Sequence, residues 1–250
     1  MKVFLRPLVW LYKIYFMVYF SVTLTLFYPF FRFTLKKVEG YPIAFKVMRF
    51  FSKIWLFFSG IFIKIRGKKN ILKAQPFLIC ANHSSFIDIP CIYAVFDEYF
   101  VFTGKKEIEK WPLFNIFYTS GMNILVDRDN KKGALKGFKR MLRVIEEKYP
   151  LAIFPEGTIS KTAPKLTDFK TGAIKLAIQK QVPILPITFT TNWKRLQRKN
   201  FWSGMAGPGV SEMIIHPPIL TEGITKADTT QLLNQLKKVI NAPLKKKYGF

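Results

Sequence analysis

The sequence predicts an α/β domain behind a hydrophobic, basic helical segment, and three observations carry that prediction. From about residue 62 onward, short apolar runs alternate with amphipathic stretches, the rhythm of strands and helices in one sheet-centred domain. Residues 8–31 are almost continuously apolar and aromatic. Half of the 250 residues are hydrophobic, enough for a sizeable core. The organisation this predicts is a membrane-anchoring helical segment over residues 1–60 and a main domain over residues 61–250.

The first stretch, residues 8–31, is interrupted by one charge, Lys13. At roughly 1.5 Å per residue its length of about 24 residues spans a hydrocarbon core, while its density of Tyr and Trp suits a helix lying in the interface. Both readings stay open, beside that of an ordinary buried hairpin. A cleaved signal peptide fits less well, because the apolar stretch is too long and no small-residue cleavage pattern accompanies it. Arg32, Lys36 and Lys37 follow, and residues 45–62 supply a second aromatic segment with Lys46, Arg49 and Lys53. Those cations favour a surface helix and keep the main domain on the cytoplasmic side.

Strands are expected at 62–66, 76–80, 99–103, 123–127, 151–154, 184–190 and 213–216, and helices at 89–97, 105–118, 131–148, 171–180 and 228–240. In the last helix Leu232, Leu233, Leu236, Val239 and Ile240 fall at i, i+1, i+4, i+7 and i+8, with Lys237 and Lys238 turned away. The run Lys245-Lys246-Lys247 reads as a solvated tail or a lipid-surface contact.

Forty Lys and Arg against 15 Asp and Glu give a formal charge of +25, which favours a polyanionic partner, nucleic acid or an anionic lipid surface. The 26 Phe, 10 Tyr and 5 Trp exceed what a soluble nucleic-acid binder needs, and no recognisable nucleic-acid module is present, so the bilayer gains weight. Cys80 and Cys91 sit in apolar surroundings without a metal-ligand spacing and read as buried, reduced thiols facing the cytosol.

The chemistry concentrates in Asn82-His83-Ser84-Ser85-Phe86-Ile87-Asp88, directly after an apolar strand. A histidine partnered by a carboxylate is the minimal device for taking a proton from a hydroxyl near neutral pH. Residues five apart on a regular helix point about 140° from each other, so His83 lies outside the helix if Asp88 is to reach it. Pro90 agrees, since proline is tolerated in the first helical turn and places the helix start near Asp88. The plainer alternative makes Asp88 an N-cap and His83 a loop histidine. Further motifs stand at strand ends: residues 121–128 finish with Arg128, whose planar fork suits a phosphate, and Phe154-Pro155-Glu156-Gly157-Thr158 offers a carboxylate, a flexible glycine and a hydroxyl. Val182-Pro183-Ile184-Leu185-Pro186-Ile187 reads as a rigid wall.

In order, these four blocks resemble the glycerolipid acyltransferase family over about residues 60–190: His83 to Asp88 its His-x4-Asp motif, then 121–128, 154–160 and 182–187. Phe169-Lys170-Thr171-Gly172 resembles the segment that follows the third block. The resemblance implies a mixed central sheet flanked by helices and a membrane enzyme acylating glycerol-3-phosphate or lysophosphatidic acid. It implies His83 as general base, Asp88 as its orienting partner, Arg128 as the acceptor-phosphate ligand, and Glu156, Gly157 and Thr158 as positioning groups. No metal or cofactor is implied; acyl-CoA or acyl-carrier protein serves as co-substrate. A nucleophilic Ser84 or Ser85 is disfavoured, each being adjacent in sequence to the base. The third block commonly continues Glu-Gly-Thr-Arg-Ser, and here Ile159 replaces the cation, with Lys161, Lys165 or Lys170 as expected compensators. Three readings follow: a lysophosphatidate acyltransferase, an acyltransferase for another lysolipid, and a non-catalytic basic protein that binds membrane or nucleic acid.

Overall fold

The computed structural model describes residues 6–199 and 202–250. Seven strands form one mixed sheet in the order β1-β7-β6-β2-β5-β3-β4. They are β1 Ile61–Arg66, β2 Leu78–Ala81, β3 Val101–Lys105, β4 Ile124–Val126, β5 Leu151–Ile153, β6 Ile184–Phe189 and β7 Gly209–Ile215. β2 runs parallel to both neighbours, pairing Leu78 with Leu151 of β5 and with Ile184 of β6. β7 is antiparallel to β6 and parallel to β1, so β1 and β7 run against the other five. The carboxyl ends of β2, β3, β4, β5 and β6 therefore open on one side of the sheet.

Side-chain alternation along these strands divides the core between two faces. On β2, Ile79 and Ala81 join a core with Phe45, Trp55, Cys91, Phe102 and Phe189. Leu78 and Cys80 join the other with Val144, Leu151, Ile174, Leu236 and Ile240. Burial on both faces explains why β2 reads as an uninterrupted apolar run. The first face carries helices α1 Arg6–Thr34, α2 Tyr41–Phe58, α3 Asp88–Val95 and the short α4 Ile116–Thr119; the second carries α5 Lys131–Glu146, α6 Gly172–Lys180 and α8 Thr229–Tyr248. A short α7, Asn192–Arg195, follows β6.

α1 and α2 form a hairpin stitched by Phe16 against Trp55, ring centroids 4.5 Å apart, and by the Tyr12 and Tyr15 hydroxyls donating to the carbonyls of Ser59 and Phe58. Phe31 packs edge-on against Phe117 and ties the hairpin to the domain. Among the described residues α1 is the one helix long and apolar enough to cross a membrane. Its outer side exposes Leu11, Met17, Leu26 and Phe33, and α2 adds Phe50 and Phe57.

Three elements depart from the expectation. Residues 105–118 do not form one helix: a 3-10 turn, Lys106–Lys110, is followed by a break at Pro112 and Leu113, the latter at φ 62°, before α4. Pro112 removes a donor and holds the residue before it extended, and Trp111 lies at ψ 115°. β7 begins at Gly209, four residues before the predicted start, because its first part pairs with β1 while carrying Ser211 and Glu212. α8 continues past Pro243 to Tyr248, anchored by fully buried Leu244, so the lysine run is helical.

Candidate active site

His83 leaves β2 where β2 and β5 end side by side. The Asn82 side chain extends the ladder by one step, its Oδ1 accepting from Phe189 N at 2.7 Å and its Nδ2 donating to Phe189 O at 3.1 Å. That fixes the height at which the chain turns toward α3. Asp88, the first residue of α3, then reaches back: its Oδ2 accepts from His83 Nδ1 at 3.0 Å, Ser84 N at 2.7 Å and Ser85 N at 2.8 Å. Its Oδ1 accepts from Asn192 Nδ2 at 2.7 Å. Asp88 is fully buried, so an unpaired carboxylate there would be costly, and five donors, the fifth being Ser84 Oγ at 3.5 Å from Oδ1, offset its desolvation.

This arrangement determines the tautomer. A carboxylate oxygen surrounded by donors requires hydrogen on Nδ1, which leaves the lone pair on Nε2. Among the described residues Nε2 has no hydrogen-bond partner. The ring stacks on Phe154 at 3.9 Å between centroids and 10° between planes. His83 is gripped by its backbone as well: its N–H donates to Glu156 Oε1 at 2.8 Å, and its carbonyl accepts from Ser160 N at 2.7 Å.

Glu156 is buried, and its Oε2 accepts from Thr167 N and Thr167 Oγ1, both at 2.8 Å. Burial raises its carboxyl above the ordinary glutamate range, opposed by those hydrogen bonds and by His83. Both of its oxygens are thus engaged in holding the His83 loop to the third block. Gly157 lies at φ 76°, a conformation that favours glycine, and an added Cβ would stand 2.5 Å from Arg128 Nη1. Arg128, exposed just beyond β4, donates from that nitrogen to the Gly157 carbonyl. Thr158 Oγ1 accepts from Arg198. The fold thus gathers His83, Asp88, Arg128, Glu156, Gly157 and Thr158 at the carboxyl ends of β2, β4 and β5, where open α/β sheets place their ligands.

Two residues that sequence reasoning passed over join them, Asn192 and Arg198. Both follow β6, which lies beside β2, so the chain leaving β6 passes over the His83 loop. Ser85 bridges Gln197, and Ser85 Oγ donates to Leu196 O at 2.7 Å. Ser85 is thereby committed to structure. Cys91 lies 3.3 Å from Ser211 Oγ, and burial pushes both cysteine thiols up to about 12.

A family model described as Acyltransferase matches residues 62–190, just over half of the chain. The 1-acyl-sn-glycerol-3-phosphate acyltransferase of Limnanthes douglasii is 35% identical over 170 residues, 68% of this chain and 57% of that protein. Its counterpart from Saccharomyces cerevisiae is 30% identical over 180 residues, 71% of this chain and 58% of that protein. The matches span less than two thirds of these relatives' lengths. The crystal structure of the 1-acyl-sn-glycerophosphate (LPA) acyltransferase PlsC from Thermotoga maritima superposes with a TM-score of 0.78 at 22% identity, covering 98% of this chain and 97% of that one, a likeness of fold.

Proposed function

The chain belongs to the acyltransferase family, and from that premise we propose that it transfers an acyl chain from acyl-CoA or acyl-carrier protein to the sn-2 hydroxyl of lysophosphatidic acid, giving phosphatidic acid. The observation that carries this reading is the buried His83–Asp88 contact of 3.0 Å, which leaves Nε2 free to accept a proton.

His83 Nε2 takes the acceptor's hydroxyl proton as that oxygen attacks the thioester carbonyl. The tetrahedral oxyanion then collapses, the carbon–sulfur bond breaks, and the leaving thiolate receives the proton from the imidazolium. Asp88 stabilises the imidazolium between these steps and prevents the ring from turning. Arg128 pairs with the acceptor phosphate, and the loop of Glu156, Gly157 and Thr158 sets where the glycerol lies relative to Nε2. Holding the two reactants in line supplies much of the rate.

The acceptor reaches this site from the bilayer. Burying a large apolar side chain is worth about 1.5–3 kcal/mol, against about 1 kcal/mol for a cation near an anionic surface, so the exposed apolar side of α1 and α2 dominates attachment and the excess positive charge adds to it. Residues 1–60 serve as the anchoring segment, and the catalytic domain over 61–250 faces the cytoplasm.

A second acceptor is favoured by one observation: Ile159 stands where a third-block cation was expected, which suits a lysolipid other than lysophosphatidate. The test is transfer of a labelled acyl group by the detergent-solubilised protein to a panel of lysolipids, from acyl-CoA and from acyl-carrier protein. Phosphatidate is expected as the dominant product. Acylation of another lysolipid alone moves the acceptor while keeping the mechanism, and silence with both donors contradicts both readings.

A further inference from the structure

We propose that Arg198, which lies beyond the residues matched by the family model, is a phosphate-binding residue of the acceptor site and acts as the partner of Arg128 across the loop of residues 157–159. The proposal rests on the reading of a phosphate-bearing acceptor.

Two guanidinium groups converge on this loop from different parts of the fold. Arg128 arrives from the end of β4 and donates to Gly157 O; Arg198 arrives from beyond β6, and its Nη1 donates to Thr158 Oγ1 and, at 3.0 Å, to Ile159 O. The next peptide nitrogen, Ser160 N, donates to the His83 carbonyl, so a single peptide plane separates Arg198's acceptor from the backbone of the proposed base. Arg198 is therefore fastened beside the chemistry and is not a free surface arm. Its segment is held too, by the Ser85 bridge to Gln197 and by Gln197 N donating to Met205 O at 2.8 Å.

Neither cation is directly paired with a carboxylate. Among the described residues neither Arg128 nor Arg198 forms a salt bridge, Glu107 acts on Arg128 only through its field, and Glu156, in the same loop, spends both oxygens on His83 and Thr167. Both hydrogen bonds of Arg198 among the described residues leave from Nη1, and Nη2 makes none there. A phosphate monoester carries about −1.5 to −2 charge near neutral pH, and planar guanidinium edges match its oxygens. Ile159 is buried and offers only its carbonyl, and it is to that carbonyl that Arg198 binds. Of the lysines expected to compensate, Lys165 lies over the Phe250 ring instead. Arg198 thus brings from outside the motif a cation that the motif itself does not contain.

The test is equilibrium binding to the full chain carrying His83→Ala, which prevents turnover, with lysophosphatidate compared against an uncharged monoacylglycerol of the same chain. Adding Arg198→Ala should weaken lysophosphatidate binding roughly 10- to 100-fold and leave monoacylglycerol binding unchanged. Arg198→Lys, which keeps the charge and loses the fork, should fall between, and placing Ile159→Arg in the Arg198→Ala chain should restore part of the preference. Preference for lysophosphatidate that survives Arg198→Ala overturns the assignment, as does an equal loss for both ligands, which marks a structural role. Absence of any preference with Arg198 intact overturns the acceptor reading itself.

Discussion

The chain's two histidines occupy opposite ends of the sheet. His83 follows β2 at the carboxyl ends of the parallel strands, while His216 follows β7, which runs the other way, and its N–H donates to Pro186 near the start of β6. His216 Nε2 lies 2.9 Å from Thr188 Oγ1, and that hydroxyl gives its own hydrogen to Ile240 O, so the ring must donate. No carboxylate appears among its hydrogen-bond partners in the described residues, and burial holds its proton affinity below that of an ordinary histidine. One ring is arranged to stay neutral, whereas the other has a buried anion to stabilise its charged form and an edge free to accept the proton. A buried histidine has the means to act as a base where it has such a partner and an open edge, and burial alone produces a packing residue.

That contrast can be attacked through the supporting groups. Next to loss of His83 itself, Asp88→Asn has the largest expected effect. The amide cannot accept from His83, Ser84 and Ser85 with its oxygen without turning its NH2 toward that of Asn192. Turnover should fall by about 100-fold or more with little change in the Michaelis constant for the acceptor, as read from steady-state acyl transfer. Glu156→Gln comes second, since an NH2 must then face either His83 N–H or the two Thr167 donors. A buried donor left unsatisfied costs about 1–3 kcal/mol, visible as a lower unfolding midpoint together with roughly tenfold slower turnover. Asn192→Ala removes one of Asp88's five donors; about 1 kcal/mol of stability and a few-fold drop in kcat are expected, with His216 chemistry untouched.

The smallest effect is His216→Gln, which should leave acyl transfer near the wild-type level and change only the pH dependence of stability. Because the folded chain binds a proton at His216 less tightly than the unfolded chain does, His216 contributes stability above the unfolded value of about 6.5 that is lost as the pH falls toward its lower folded value. Chemical denaturation across that window should show a shallower acid loss in the variant. Loss of turnover in His216→Gln would erase the distinction between the two histidines.

The His83–Asp88 pair was legible because its determinants are local: an apolar strand, five residues of spacing and Pro90, which restricts where α3 can begin. Arg128, Gly157 and Thr158 were legible for the same reason, each lying in a loop that follows a strand, β4 or β5. Asn192 and Arg198 were not, because their partners Asp88 and Ile159 lie 104 and 39 positions away in sequence, and only the placement of β6 beside β2 joins them. The same limit applied to β7, whose early residues are polar yet paired with β1, and to α8, whose passage beyond Pro243 depends on the tertiary burial of Leu244. The mistaken helix over 105–118 is a different case, since Pro112 was available locally and its effect on Trp111 outweighed the helical composition around it.

The most direct test of the central claim is single-turnover transfer of a labelled acyl group to lysophosphatidate by wild-type protein and by His83→Ala, both bound to the same anionic vesicles. His83→Ala should slow the transfer step by about 10²–10⁴-fold while binding vesicles like the wild type. Transfer at the wild-type rate by the vesicle-bound variant would contradict that claim.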